Sequence, residues 1–287
     1  MKTTIYTIAT QAGVSIATVS RALNNGPRVS EATRARILQI AQELGYQPSA
    51  SARNLAMNTT ETLALVLPQI SGPYYSEFIR GAEGVTRKYQ YHLLIYSSCD
   101  LDADDSLLRL LPARTDGVIL GTFSSTFDYV RELHRRSFPF VLLGHIVPDL
   151  PVNAINPDNE NGAYTLTRHL IEAHQFQRIG FIRGPEYRAH SGERLRGYQR
   201  ALQAAGIPFQ PELTAQGDFD EASGYAAARQ LLALPEPPQA IFAASDQMAM
   251  GALAAVNHHG LIVPTDLAVV GFDDIPAARY LYPPLTT

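Results

Sequence analysis

From residue 63 to residue 272 short apolar runs alternate with longer amphipathic stretches, and few folds accept that pattern. The runs cover 63–67, 93–96, 117–120, 140–143, 179–182, 240–243 and 268–272. Between them lie helical patterns at about 75–89, 103–111, 127–137, 160–174, 191–205, 221–234 and 246–260. Apolar runs of this length separated by helices predict a parallel sheet with crossover helices. Seven strands suit either one large sheet or two smaller ones.

Parallel sheets of this kind take ligands at the carboxyl ends of their strands, so the loops after the apolar runs are where a site belongs. After the first run come Tyr74 and Tyr75, a stacking surface for a sugar ring or a planar base. The fourth run leads to Gly144-His145, and beyond it lies Asn156-Pro157-Asp158-Asn159. Later loops carry Arg188, His190 and Arg194, then Phe219, Ser245-Asp246 and Asp273-Asp274. Asp246 also reads as an ordinary helix cap.

Ahead of this region lies a module of different character. Residues 1–57 carry six basic side chains (Lys2, Arg21, Arg28, Arg34, Arg36, Arg53) against Glu31 and Glu43, a net of +4 in a chain whose formal charge is −4. A basic module on an acidic body, −8 by difference, concentrates attraction for phosphate at one end, although chance unevenness would look the same on charge alone. The 287 residues, 46% of them hydrophobic, suffice for one small and one large domain. The single Cys99 excludes an internal disulfide framework, and the first residues are not the apolar run of a signal peptide or membrane span. The expected location is the cytoplasm.

Within the module a short helix, with Ile5, Ile8, Ala9 and Ala12 on one face, is ended by Gly13. Ser15 is placed to cap a second helix through residues 16–23. Two helices joined by so short a Gly-containing turn form a helix-turn-helix. Val19 and Leu23 can bury against Ile8 and Ala9, which leaves Ile16, Ala17, Ser20 and Arg21 facing outward, a mixture suited to a major-groove edge. A third helix begins near Ser30 and ends at Gly45. Its Arg34 and Arg36 read more readily as a solvated face than as DNA contacts. Residues 49–56 could form a turn or two of helix with almost nothing to bury, marginal by itself.

The stretches Ala12-Gly13-Val14-Ser15, Ala17-Thr18-Val19-Ser20-Arg21-Ala22-Leu23-Asn24, Val29-Ser30, Thr33-Arg34, Leu44-Gly45-Tyr46 and Pro48 to Leu55 resemble the LacI/GalR family of transcriptional regulators. The resemblance implies an α/β protein with an N-terminal all-α helix-turn-helix domain (1–47), a hinge helix and linker (48–58), and a periplasmic-binding-protein-like sensor domain of two subdomains (59–287). By position it implies base reading by Ile16, Ala17 and Arg21. Thr18, Ser20, Asn24, Ser30 and Thr33 would hold phosphates or neighbouring edges, Ser49 and Arg53 would contact DNA from the hinge, and Leu55 would wedge into the minor groove. Thr7 departs from the family, which commonly has an acidic residue there, and is expected to alter a cap.

For the sensor domain the resemblance implies effector contacts from Arg194, Asp273, Phe219 and Ser245, joined by Tyr74, Tyr75, His145, Asp158 and His190 from the loops. An arginine and an aspartate beside aromatic walls suit a polyhydroxylated, sugar-like ligand, and a purine would use similar parts. Double-stranded operator DNA, a small-molecule effector and a second copy of the chain are the implied partners, with no cofactor, metal or membrane. The family ordinarily continues past Thr287 with a further helix and strand, so the sensor domain is expected to be C-terminally truncated.

Two rival classes remain open to the sequence. An enzyme would need a motif, and there is no Gly-x-Ser-x-Gly elbow, Walker loop or His-Glu-x-x-His. His258-His259 are adjacent and His169 and His174 five apart, poor spacings for a shared metal on a helix. A plain solute-binding protein would account for the large domain but not for the module ahead of it.

Overall fold

The computed structural model describes residues 4–46, 59–97, 105–121, 127–144, 147 and 149–287. The expected hinge, with Ser49, Arg53 and Leu55, and the candidate His145 lie outside the described residues. The chain divides into two compact units, residues 1–61 and 62–287.

Among its described residues the first unit holds three helices, α1 (Ile5–Ala12), α2 (Ile16–Leu23) and α3 (Glu31–Glu43). Gly13 caps α1 with φ +63°, a left-handed conformation that a side chain would strain, and so turns the chain toward α2 within three residues. Ile8, Ala12, Val19, Ala22, Ile37 and Ile40 form the core. Each helix begins with a pair of hydroxyls three residues apart. Ser15 Oγ accepts from Thr18 N at 3.2 Å, Ser30 Oγ accepts from Thr33 N at 3.2 Å, and Thr7 lies in a reciprocal capping pair with Thr4.

The second unit holds two parallel sheets. The first comprises β1 (Thr62–Leu67), β2 (His92–Ser97), β3 (Gly117–Leu120), β4 (Phe140–Leu143) and β5 (Ala154–Ile155), in the order β2-β1-β3-β4-β5. Its crossovers are α4 (Pro73–Lys88), α5 (Asp105–Arg114) and α6 (Asp128–Arg135). The second sheet comprises β6 (Ile179–Arg183), β7 (Thr214–Gln216), β8 (Ala240–Ala243) and β9 (Ala268–Val270), in the order β7-β6-β8-β9. α7 (Asn159–His174), α8 (Ala189–Ala204), α9 (Glu221–Leu232) and α10 (Asp246–His258) flank it. Two smaller sheets, not one large one, resolve the choice the sequence left open.

Each sheet has its own core. In the second, Phe181 stacks on Tyr198 at 4.9 Å and meets Phe242 edge-on at 5.1 Å, while the Tyr198 hydroxyl donates to Ile179 O at 2.7 Å. Helix pairs there touch through glycine. A Cβ on Gly197 would lie 2.1 Å from Glu160 O, and one on Gly251 would lie 2.0 Å from Glu221 O. Those separations bring α8 against α7 and α10 against α9, backbone to backbone.

Two expectations need correction. β5 and β7 were not among the seven runs, because two- and three-residue strands of mixed polarity carry no apolar signal; they exist by pairing with β4 and β6. The last run stops as a strand at Val270, since Gly271 donates to Thr286 O at 2.9 Å and the chain turns away. The rings of His169 and His174 come to 5.1 Å because α7 ends at His174, whose ring also stacks on Phe176. Among the described residues no cluster of three or more His, Cys, Asp or Glu could hold a metal ion, and no helix is long and apolar enough to cross a membrane.

Candidate functional site

In the first unit Ile16, Ala17 and Arg21 face outward on α2 as the spacing predicted, but Ser20 is half-buried, and Ala22 rather than Leu23 is buried beside Val19. Ile16 is 40% exposed, Ala17 and Arg21 are exposed, and Thr18 and Ser20 are half-buried, while Val19 and Ala22 point into the core. Asn24 is exposed at the C-cap. The hydroxyls of Thr18 and Thr33 are each engaged locally, 2.9 Å from Ser15 Oγ and 2.7 Å from Ser30 Oγ. The helix starts that these pairs cap present backbone N–H groups and the positive end of the helix dipole, groups that hold phosphate well.

Arg34 is neither a solvated residue nor an outward one. Its guanidinium donates to Ala22 O and Gly26 O, both at 2.7 Å, and to Asn25 Oδ1 at 3.1 Å. α3 thereby holds the C-terminal end of α2 and the turn after it, which contains left-handed Asn25 (φ +53°).

In the second unit the loops at the carboxyl ends of both sheets enclose a cleft of about 730 Å³. Seven of the expected residues line it: Tyr74, Tyr75, His190, Arg194, Phe219, Ser245 and Asp273. Tyr74 and Tyr75 stand edge to face at 5.2 Å on the first subdomain's side. Opposite them the Phe219 ring stacks on His190 at 5.1 Å. Phe219 is left-handed (φ +61°), and its ring lies so close over Gly184 that a Cβ there would sit 2.1 Å from Cζ. Gly184 is therefore the seat of this aromatic wall, a role with no sequence signal.

Asp158 is a correction. It is the N-cap of α7, accepting from Asn161 N at 3.2 Å and Asn161 Nδ2 at 2.7 Å, and it does not line the cleft. The Asn161 side-chain bond, then the backbone bond, hold its carboxyl below the usual range. Its neighbour Asn159 faces the cleft instead. Gln69, Tyr187, Asp218 and Gln247 also line the cleft and were missed: the first three stand in loops whose limits the apolar runs do not mark, and Gln247 in the first turn of α10.

Arg194 and Asp273 form a buried pair, Nη2 to Oδ1 at 3.1 Å. The arginine, 5% exposed, also donates from Nε to Asn159 Oδ1 at 3.0 Å and from Nη1 to Ala244 O, and its guanidinium lies over the Phe272 ring at 3.8 Å. Burial pushes the Asp273 carboxyl up to about 6, with Arg194 opposing the shift and the Asp246 charge adding to it. Burial, reinforced by the Asp273 charge, likewise raises the Tyr74 phenol, which places the two subdomains' side chains within electrostatic reach. Asp246 is fully buried. It is not the cap of α10, a role taken by Ser245 through Met248 N at 3.2 Å; Asp246 Oδ2 instead accepts from Ile275 N at 2.9 Å and holds the loop that carries Asp273.

A three-helix unit with a helix-turn-helix, in one chain with a two-subdomain unit around a ligand-sized cleft, defines a ligand-responsive DNA-binding regulator. Residues 4–49 match the family described as bacterial regulatory proteins, lacI family, and residues 167–287 match a periplasmic binding protein-like domain. The HTH-type transcriptional repressor CytR of Escherichia coli (strain K12) is 38% identical over 286 residues, 99% of this chain and 84% of that protein. Catabolite control protein A of Priestia megaterium is 35% identical over 291 residues, 100% of this chain and 87% of that protein. Among solved structures, the Lac repressor dimer bound to operator and the anti-inducer ONPF aligns with a TM-score of 0.86 at 28% identity, covering 99% of this chain and 86% of that one. The complex of the transcriptional regulator CelR with cellobiose aligns with a TM-score of 0.71 at 33% identity, covering 99% and 86%. The chain belongs to the lacI family of bacterial regulatory proteins. It is a DNA-binding transcriptional regulator and not an enzyme.

Proposed function

We propose that this chain is a cytoplasmic repressor that binds a palindromic operator as a homodimer and changes its operator affinity when a sugar-like effector fills the cleft. The observation that carries the reading is the face of α2, where a large apolar side chain, Ile16, stands exposed beside Ala17 and Arg21 on a capped helix. Such a face is wasteful in water and apt in a major groove, where Arg21 can reach guanine and Ile16 a thymine methyl. Two copies place two such helices in successive grooves of a symmetric site, and the expected hinge residues Ser49, Arg53 and Leu55 act at its centre.

The cleft supports the second half. Its aromatic walls cover the C–H faces of a ring, while Asn159, Ser245 and Asp273 offer hydrogen-bonding groups to hydroxyls. The Lac repressor structure holds an anti-inducer and the CelR structure holds cellobiose, both in proteins of this fold. The stacked His190 and Phe219 rings also suit a planar nucleobase, a second reading that calorimetry with adenine against cellobiose separates.

The test is a footprint of the whole chain on the DNA flanking its gene, across a salt series. A salt-sensitive, dyad-symmetric footprint is expected, altered by effector through a coupling of about 1–3 kcal/mol that is equal in both directions. Absence of specific binding overturns the regulator reading, and identical effector affinity with and without operator overturns the coupling.

A further inference from the structure

Arg194 would ordinarily be the anchor for an anionic ligand, since a guanidinium in a partly closed cleft binds phosphate or carboxylate in a bidentate fork. Here each of its three nitrogens already donates to the protein, to Asn159 Oδ1, Ala244 O and Asp273 Oδ1, and one face is covered by Phe272. The pair it makes with Asp273 is electrically neutral. Two further carboxylates, Asp218 and Asp220, stand on the cleft wall. The other cleft arginine, Arg188, lies against the Tyr187 ring at 5.4 Å. Two arginines therefore face three aspartates around the cleft, and an entering anion would lose its hydration beside an excess of negative charge.

We infer that Asp273 sets the charge selectivity of the cleft: by neutralising Arg194 it commits the site to uncharged ligands and rejects phosphorylated or carboxylated ones. The inference rests on the reading of the cleft as an effector site, but not on which effector fills it. Asp273 acts here by removing a cation from use, besides any bond it makes to a ligand. Asparagine has the shape of aspartate without its charge, so Asp273→Asn is the conservative way to remove the charge at this positive-φ position (φ +125°). With that charge gone, one cation is released into a cleft whose shape is unchanged.

The experiment uses inorganic sulfate as the probe on the full chain, titrated by calorimetry at constant ionic strength set with chloride. The wild-type chain is expected to show no saturable sulfate binding at pH 7.5, and Asp273→Asn to bind sulfate at least about tenfold more tightly. The gain should vanish in Asp273→Asn with Arg194→Met, which keeps the apolar stem and removes the guanidinium. Saturable binding to the wild-type chain that Arg194→Met abolishes overturns the inference, as does an Asp273→Asn chain with a native melting profile and no gain. Should the variant fold poorly, the wild-type chain at pH 5.0 makes the same test, because protonating Asp273 frees Arg194. Asp246 and Tyr74 also face Asp273 electrostatically, and His190 lines the cleft, so only the part of the gain lost in Arg194→Met counts; no such part overturns the inference. Failure of the effector reading itself shows separately, as a cleft that binds no ligand affecting operator affinity while the sulfate result stands.

Discussion

Arg34 Nη1 lies 2.7 Å from the carbonyl oxygen of Ala22 and so ties the third helix of the DNA-binding unit to the last turn of the second. The same guanidinium reaches Gly26 O and Asn25 Oδ1. The carbonyls at the end of a helix lack partners within it, and a forked cation supplies one here while fixing where the turn leaves.

Replacing Arg34 by alanine is expected to destabilise the three-helix unit by about 2 kcal/mol, the range for hydrogen bonds to a charged group. Lysine recovers only part, because a point charge cannot span two carbonyls. Thermal unfolding followed at 222 nm checks the stability, and operator titration should show a parallel loss. An alanine variant that melts with the wild type would contradict the clamp.

Ser15→Ala removes the hydroxyl that caps α2 through Thr18 N. The expected cost is about 1 kcal/mol, and Ser15→Asp should restore most of it, since either side chain can accept that N–H. On DNA the aspartate variant should nonetheless bind more weakly than the wild type, because a carboxylate at this helix start repels phosphate. Equal operator affinity of the two would show that this end of α2 is not near the backbone of DNA.

Gly184→Ala puts a methyl group into the ring of Phe219. The ring must leave its place on His190, with an expected loss of about 1–2 kcal/mol typical of overpacking. Ligand affinity measured by calorimetry should fall more than stability does, since the displaced ring is a wall of the cleft. A variant with the wild-type melting temperature and unchanged ligand affinity would refute that role.

The buried Asp273 carboxyl makes stability depend on pH. Its value is raised to about 6 from an ordinary 3.8, chiefly by burial, so the folded state binds more protons than the unfolded between those values. The stability tied to its protonated form is present in full below pH 3.8 and is lost as pH rises through 6. Unfolding free energies of the sensor unit should therefore decline from pH 4 to pH 7 relative to Asp273→Asn, by an amount on the order of 1–3 kcal/mol, with melting temperatures falling in step. Parallel pH profiles for the two chains would rule this out.

Much of the architecture can be read without coordinates, and the reason is that it is local. Gly13 and Ser15 bound a turn because one tolerates a left-handed backbone and the other caps a helix, and Val19 falls inward because a helix repeats every 3.6 residues, although Ala22 rather than Leu23 is its fully buried companion. Long apolar runs such as β1 and β8 announce buried parallel strands for the same reason.

Where the meaning of a residue depends on what another segment brings to it, the sequence was silent or misleading. β7 is Thr-Ala-Gln and becomes a strand only beside β6. Asp158 carries the composition of a ligand contact, yet it caps α7 while Asn159, one residue on, turns into the cleft beside Arg194. Arg34 looked like a solvated charge because its acceptors lie eight to thirteen positions away. Sequence alone determined the kind of protein, a helix-turn-helix ahead of a parallel α/β sensor, since caps, turns and periodicity act over a few residues. Tertiary structure alone decided that the C-terminal end of α2 is held by Arg34 and that Arg194 is matched by Asp273. Those pairings join distant segments, and the energies that choose them depend on burial and distance, which no linear pattern records.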